Sequence, residues 1–140
     1  MNNGVFITEK AYRHMREHIM ARYPDEACGI IIGNREGDSI EDVYITDNAE
    51  PDETAGRGFF IDPLEIYRIE RETDGRGSII GFFHSHPDKP AVPSKKDEMY
   101  MIPGMLYLIF SAEYERTAEV KGYEKQQAGD SFFIKEVTLK

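Results

Sequence analysis

Apolar residues recur at helical spacing at Ala11, Tyr12, Met15 and Ile19, which predicts a helix from an N-cap at Thr8 to about Arg22, where Tyr23-Pro24-Asp25 interrupts it. Ala27 to Ile32 (ACGIII) is a short apolar run closed by Gly33-Asn34, and Ile40, Val43 and Ile45 mark a second β segment after a turn at Arg35–Asp38. A hairpin is the economical reading. Asn48 to Arg57 is polar and without period, and Gly58 to Ile61 predicts a third strand. Asp62-Pro63-Leu64-Glu65 then combines an N-cap acid, a proline at the first helical position and a nearby glutamate; Leu64, Ile66, Tyr67 and Ile69 supply the apolar stripe before Asp74-Gly75. Ser78 to Phe83 (SIIGFF) has the near-continuous apolar character of a central strand covered on both faces, and it leads directly into His84-Ser85-His86-Pro87. Three prolines punctuate Pro87 to Pro93, a short helix is expected from Ser94 to about Met101, and Pro103-Gly104 stops it. Met105 to Ser111 is another buried strand, with further β segments near Thr117 to Glu124 and Ser131 to Leu139. The predicted class is α/β, with many strands and two or three helices, the first lying on a sheet. Phe82, Phe83, Phe132 and Phe133 are expected in core or half-buried sheet positions.

The length of 140 residues suits one domain spanning 1–140, against a usual size of roughly 100–150. The 26 acidic and 17 basic residues give a net charge of −9, which disfavours a diffuse electrostatic grip on nucleic acid or anionic lipid. No apolar run approaches the ~18 residues of a membrane span, and the first residues lack the pattern of an export signal. A single cysteine, Cys28, allows no internal disulfide and no Cys-x-x-Cys pair, so a reducing cytoplasm is expected.

The chemistry concentrates after the central strand. His84 and His86 are one residue apart, and strand side chains alternate with period two, so both imidazoles point the same way. Ser94 and Asp97 are N-cap and third residue of a short helix, which puts their side chains together at its start. A proline-stiffened loop can fold that pair back onto the histidines. Two neutral imidazoles and one carboxylate suit Zn²⁺ with a fourth position open to water. Lowering the pKa of a bound water from 15.7 to about 7 is worth roughly 12 kcal/mol at 1.36 kcal/mol per unit. Hydrolysis further needs a carboxylate to carry the proton and a donor for the developing oxyanion; Glu26 and Ser94 are the candidates.

Glu26 ahead of a glycine-containing apolar strand, then His84-x-His86, seven residues, Ser94, two residues and Asp97, resembles the JAMM (MPN-plus) zinc metalloprotease signature. Every position of that signature is filled, and the resemblance runs from the first helix through EACGIIIG and IIGFFHSHP to LYLIFS. It implies a three-layer α/β fold of cytidine-deaminase-like shape with a mixed central sheet. One zinc would be held by His84, His86 and Asp97; Glu26 would act as general base and acid, and Ser94 would stabilise the tetrahedral intermediate. The compact spacing from His86 to the strand after Asp97 is similar to the stand-alone prokaryotic branch. The resemblance there implies release of cysteine or a short peptide from the C-terminal glycine of a ubiquitin-like sulfur carrier protein. An extended Gly-Gly tail could add to a sheet edge and reach the metal through a narrow slot.

Several alternatives bear on the same residues. His14-Met15-Arg16-Glu17-His18 fits the inverted zincin string H-x-x-E-H, but zinc there would need a third ligand reaching the first helix, so these are read as surface histidines. Cys28 is read as a small buried hydrophobe, although its alternation with Glu26 brings it toward the metal ligands. A Ser94-His86-Asp97 hydrolase lacks the Gly-x-Ser-x-Gly elbow, and a zinc deaminase needs a Pro-Cys-x-x-Cys motif that one cysteine cannot supply. The main competing function is a metal-free MPN-type scaffold that binds partners without chemistry.

Overall fold

The computed structural model describes residues 4–34, 38–46, 61–73 and 77–139. Seven strands form one mixed sheet: β1 (Phe6–Ile7), β2 (Cys28–Asn34), β3 (Ser39–Thr46), β4 (Ser78–Pro87), β5 (Leu106–Glu113), β6 (Arg116–Ala128) and β7 (Ser131–Val137). Their spatial order is β1-β3-β2-β4-β5-β6-β7. The β1/β3 and β4/β5 pairs are parallel and the rest antiparallel. Val5 forms a parallel bridge with Leu139, its N–H donating to the Thr138 carbonyl at 2.8 Å, so the sheet curls until its two edges meet at one end.

Three helices cover the sheet: α1 (Glu9–Arg22), α2 (Pro63–Glu72) and α3 (Lys95–Tyr100). Each starts where its capping chemistry predicts. Thr8 accepts the Ala11 N–H at 3.2 Å, Asp62 accepts the Leu64 N–H at 2.9 Å, and Ser94 forms a reciprocal capping box with Asp97. Ala11, Met15 and Ile19 of α1 pack with Ile31, Phe83, Leu108 and Phe110 on one face of the sheet. The residues alternating with them, Ile30, Ile32, Phe82, Tyr107 and Ile109, face the other way and pack with Ile61, Ile69 and Met101. Period-two alternation along fully covered strands thus produces the three layers. Gly81 permits the close β4/β5 approach, because a Cβ there would collide with the Leu106 carbonyl.

Some expectations are corrected. On α2 the inner face is Ile66, Ile69 and Thr73, whereas Leu64 and Tyr67 are 75% and 59% exposed; they lie one turn apart on the outer side. Phe132 and Phe133 are also exposed, because β7 is a sheet edge, and Lys125 covers the Phe132 ring at 5.2 Å. Ile61 enters the core without belonging to a strand; residues 58–60 of that expected strand and most of the 35–38 turn lie outside the described residues. The two-residue β1 was not anticipated, and β6 extends past its expected end at Glu124 to Ala128. No helix among the described residues is long and apolar enough to cross a membrane.

Candidate metal centre

β4 runs through the histidine pair to Pro87, so His84 and His86 stand on the same face of a strand bonded on both sides. Their Nε2 atoms are 3.2 Å apart, and each faces Asp97 Oδ2, at 3.2 Å from His84 and 3.0 Å from His86. All three residues are buried. Hydrogen bonds cannot close this triangle: three short edges need three bridging protons, and two Nε2 atoms carry at most two. A cation in contact with all three lone pairs does close it. A tetrahedral ion with bonds of about 2.0–2.1 Å separates its ligands by about 3.3–3.4 Å, close to the observed edges. Two imidazole nitrogens and a carboxylate oxygen are also a donor set that zinc accepts. The residues present fit the ion.

The surroundings favour the same state. His86 Nδ1 lies 3.0 Å from the Pro90 carbonyl, which can only accept, so the ring proton sits on Nδ1, donating to it, and the lone pair is left on Nε2. Asp97 Oδ2 also accepts the Ser94 N–H at 2.9 Å, while Ser94 Oγ accepts the Asp97 N–H at 3.0 Å. Ser94 therefore keeps its hydroxyl proton to donate elsewhere. Burial opposes the charged form of Asp97, but bonds from His84, His86 and the Ser94 amide outweigh it and hold the carboxyl well below its usual range. Burial lowers the pKa of His84; at His86 burial acts the same way but is outweighed by Asp97 and the Pro90 carbonyl, and the net shift is upward.

Glu26 stands just before β2 with only 5% of its surface exposed. One of its carboxylate oxygens and a ring nitrogen from each histidine lie within 4.8 Å of one another. Both carboxylates thus border the histidine pair, with Asp97 Oδ2 at 3.0–3.2 Å from the two Nε2 atoms and a Glu26 oxygen within 4.8 Å of a nitrogen on each ring. Burial pushes the Glu26 carboxyl up to about 7, with Asp97 adding to the rise and His86, Lys89 and Lys96 opposing it. Ser85, which the motif leaves unassigned, fixes this placement: its Oγ accepts the Ala27 N–H at 2.9 Å and its own N–H donates to the Ala27 carbonyl at 3.0 Å. Its position between two ligands of a strand end was the available signal.

The 88–93 loop is held from β5 and β6. Ser111 Oγ donates to the Lys89 carbonyl at 2.7 Å, the Tyr123 hydroxyl to the Ala91 carbonyl at 2.6 Å, and the Ala91 N–H to Glu119 at 3.3 Å. These residues carried no sequence signal. Cys28 sits across from His84 in the β2/β4 register, with its sulfur 3.6 Å from the Thr46 hydroxyl oxygen. His14 and His18 are partly exposed on α1: His14 pairs with Asp42 at 3.3 Å, and His18 sets its edge against Phe83. A cavity of about 370 Å³ opens beside His84 and Asp97 on the side of α2 and α3.

A covered mixed sheet with two strand histidines and a capping-box aspartate converging beside a buried glutamate defines a JAMM-type metallopeptidase domain. The chain belongs to the family of prokaryotic homologs of the JAB domain, whose model matches residues 8–121. It is similar to a desampylase of Haloferax volcanii, 30% identical over 121 residues that make up 85% of this chain and 81% of the relative. It is also similar to a CysO-cysteine peptidase of Mycobacterium tuberculosis, 29% identical over 110 residues, 78% and 74% of the two chains. Among solved structures, a protein of Desulfitobacterium hafniense superimposes with a TM-score of 0.77 at 31% identity, covering 97% of this chain and 92% of that one. A JAB1/MPN domain protein from Archaeoglobus fulgidus shares the fold, with a TM-score of 0.58 at 18% identity over 88% and 90% of the chains.

Proposed function

We propose that the protein hydrolyses the amide following the C-terminal glycine of a ubiquitin-like sulfur carrier protein, releasing cysteine or a peptide. The observation that carries this reading is the near-equilateral triangle of His84 Nε2, His86 Nε2 and Asp97 Oδ2 with the Glu26 carboxylate beyond it. His84, His86 and Asp97 would hold one zinc ion, which when bound would supply Lewis-acid polarisation and activation of water. Glu26 accepts a proton from the attacking water and passes it to the leaving amine. A buried carboxyl raised to about 7 is suited to both transfers near neutral pH. Ser94 donates its hydroxyl proton to the oxygen that becomes negative in the transition state. His86 is kept in the ligating tautomer by Pro90, and Ser85 holds the Glu26 end of β2 against β4.

The names of two relatives support the substrate class, one a desampylase and the other a CysO-cysteine peptidase. The same reading takes residues 1–140 as one catalytic domain, working in the cytoplasm and without nucleic-acid or membrane partners. A metal-free scaffold has no use for the donor triangle. The test is to measure the zinc content of the purified protein and to follow a carrier protein ending in glycyl-cysteine by mass spectrometry. Loss of the cysteine mass is expected; an intact adduct beside stoichiometric zinc refutes the substrate assignment.

A further inference from the structure

Glu26 is tied to the histidine-bearing segment from both of its flanks. On the C-terminal side the tie is the pair of hydrogen bonds between Ala27 and Ser85. On the N-terminal side it is Tyr23, the C-cap of α1, whose hydroxyl donates to the Asp88 carboxylate, with the two oxygens at 2.7 and 2.8 Å. Asp88 follows His86 by two residues and is itself fixed. Its N–H donates to the Ala112 carbonyl at 2.7 Å, and its φ of 56° lies in the left-handed region that aspartate and asparagine tolerate better than most residues. The Tyr23 ring packs against the core shared by α1 and the sheet, and the Asp25 N–H closes a turn on the Arg22 carbonyl at 2.8 Å. Only Pro24 and Asp25 separate the anchored tyrosine from Glu26.

We propose that the Tyr23–Asp88 hydrogen bond sets the position of Glu26 against the donor triangle, which makes Tyr23 a positioning residue for proton transfer. This rests on the hydrolytic reading above and adds to it a residue that touches neither metal nor substrate. A general base works within about 2.6–3.2 Å of the proton it takes, and a misplacement of about 1 Å costs up to about 100-fold in rate. The Ala27–Ser85 bonds fix where β2 begins but leave the chain before it to pivot about that point; an anchor three residues upstream of Glu26 removes the pivot. Loss of the bond should reach Glu26 and spare the ligands. Asp88 keeps its bond to Ala112 and Lys89 its bond from Ser111, so the loop that carries Pro90 against His86 stays pinned without Tyr23.

The test follows cleavage of a carrier protein ending in Gly-Gly-Cys by the zinc-loaded full chain. Tyr23→Phe keeps the ring in its packing and removes only the hydroxyl; with one of two flanking anchors gone, kcat should fall about tenfold while KM and zinc stoichiometry hold. Asp88→Gly, which removes the acceptor and adopts a positive φ without strain, should show the same loss, and the two substitutions together should cost no more than either alone. Asp88→Asn, which keeps an acceptor and tolerates the left-handed backbone, should retain most of the rate. In a Glu26→Gln background Tyr23→Phe should be silent, since no base is left to position, whereas a merely structural role would lower the residual rate by the same factor in both backgrounds. An unchanged kcat in Tyr23→Phe, an equal loss in the two backgrounds, or a loss traced to missing zinc overturns the assignment while glycyl hydrolysis stands. No cleavage by zinc-loaded wild type overturns the hydrolytic reading, and this inference with it.

Discussion

Replacing Glu26 with glutamine separates the two jobs that a carboxylate near this metal centre could have. Glutamine keeps the shape of the side chain and removes both the charge and the ability to take a proton. Asp97 Oδ2 lies 3.0–3.2 Å from the histidine nitrogens, the spacing of co-ligands, whereas the Glu26 group spans up to 4.8 Å. Zinc should therefore remain at wild-type stoichiometry. Turnover should fall by about 10²–10⁴, the usual contribution of a general base, or about 3–5 kcal/mol at 1.36 kcal/mol per tenfold. Elemental analysis and turnover of a glycyl-cysteine adduct read the two outcomes on one sample. The chelated protein offers a second check. Its Glu26 carboxyl is raised from 4.5 to about 7, mainly by burial, so the folded state holds a proton that the unfolded chain has already released. Stability then falls as pH rises through that window, by at most roughly 3 kcal/mol at 1.36 kcal/mol per unit. Glu26→Gln lacks this loss, so its advantage in thermal melting should be absent near about pH 4 and full above about pH 7. Undiminished turnover would refute the base assignment. Loss of zinc from a folded variant would instead make Glu26 a ligand.

Asp97→Asn should have the opposite signature, weakening zinc binding by more than about 100-fold in competition with a chelating dye, since it removes the one anionic donor of the triangle. Ser94→Gly should lower kcat by about 10²–10³ through loss of the oxyanion donor, yet cost only a few tenths of a kcal/mol in a urea titration, because glycine is a tolerable N-cap; an unchanged kcat would leave Ser94 a capping residue alone. Tyr123→Phe should destabilise by about 1–2 kcal/mol in the same titration, since the Ala91 carbonyl loses the hydroxyl that donates to it at 2.6 Å. It should also weaken zinc binding, by loosening the loop that carries Pro90, and unaltered affinity would show the loop to be held well enough without it.

The grouping of His84, His86, Ser94 and Asp97 was legible because each part of it is a short-range pattern. Period-two alternation aligns His84 with His86, and Ser-x-x-Asp spacing at a helix start joins Ser94 to Asp97 whatever the rest of the chain does. Helix starts at Thr8 and Asp62 were legible for the same reason. What could not be read depends on neighbours far away in sequence. Leu64 and Ile69 are equally apolar, and only the sheet decides that Ile69 is buried and Leu64 exposed. Phe133 sits in an apolar run like Phe83, but it lies on an edge strand while Phe83 is central. Ser85, Ser111 and Tyr123 act through bonds spanning 58, 22 and 32 residues, which no local pattern announces. The H-x-x-E-H string shows the converse hazard, since its spacing is right but its histidines are engaged by Asp42 and Phe83 on the opposite face of the sheet.

The proposed ligands come from elements of very different strength, which shapes how the site is held. His84 and His86 belong to the central strand of the sheet, paired with β5 through both residues and with β2 as far as His84. Asp97 belongs to α3, six residues long and far below the ~12–15 at which an isolated helix becomes marginal in water. Three things compensate. The capping box starts the helix, Lys125 donates to the Glu98 carbonyl at 2.8 Å, and the loop before the helix is pinned to β5 and β6. Asp97 Oδ2 is shared between them and the metal centre, because the oxygen that accepts the Ser94 amide is the one that faces both histidines. Helix initiation and ligand placement are then a single event: a chain that forms the box has already aimed the carboxylate, and a cation that binds the carboxylate stabilises the box. The economy of the Ser-x-x-Asp spacing lies in that shared oxygen, which lets six residues of helix do what would otherwise need a longer element packed over the sheet.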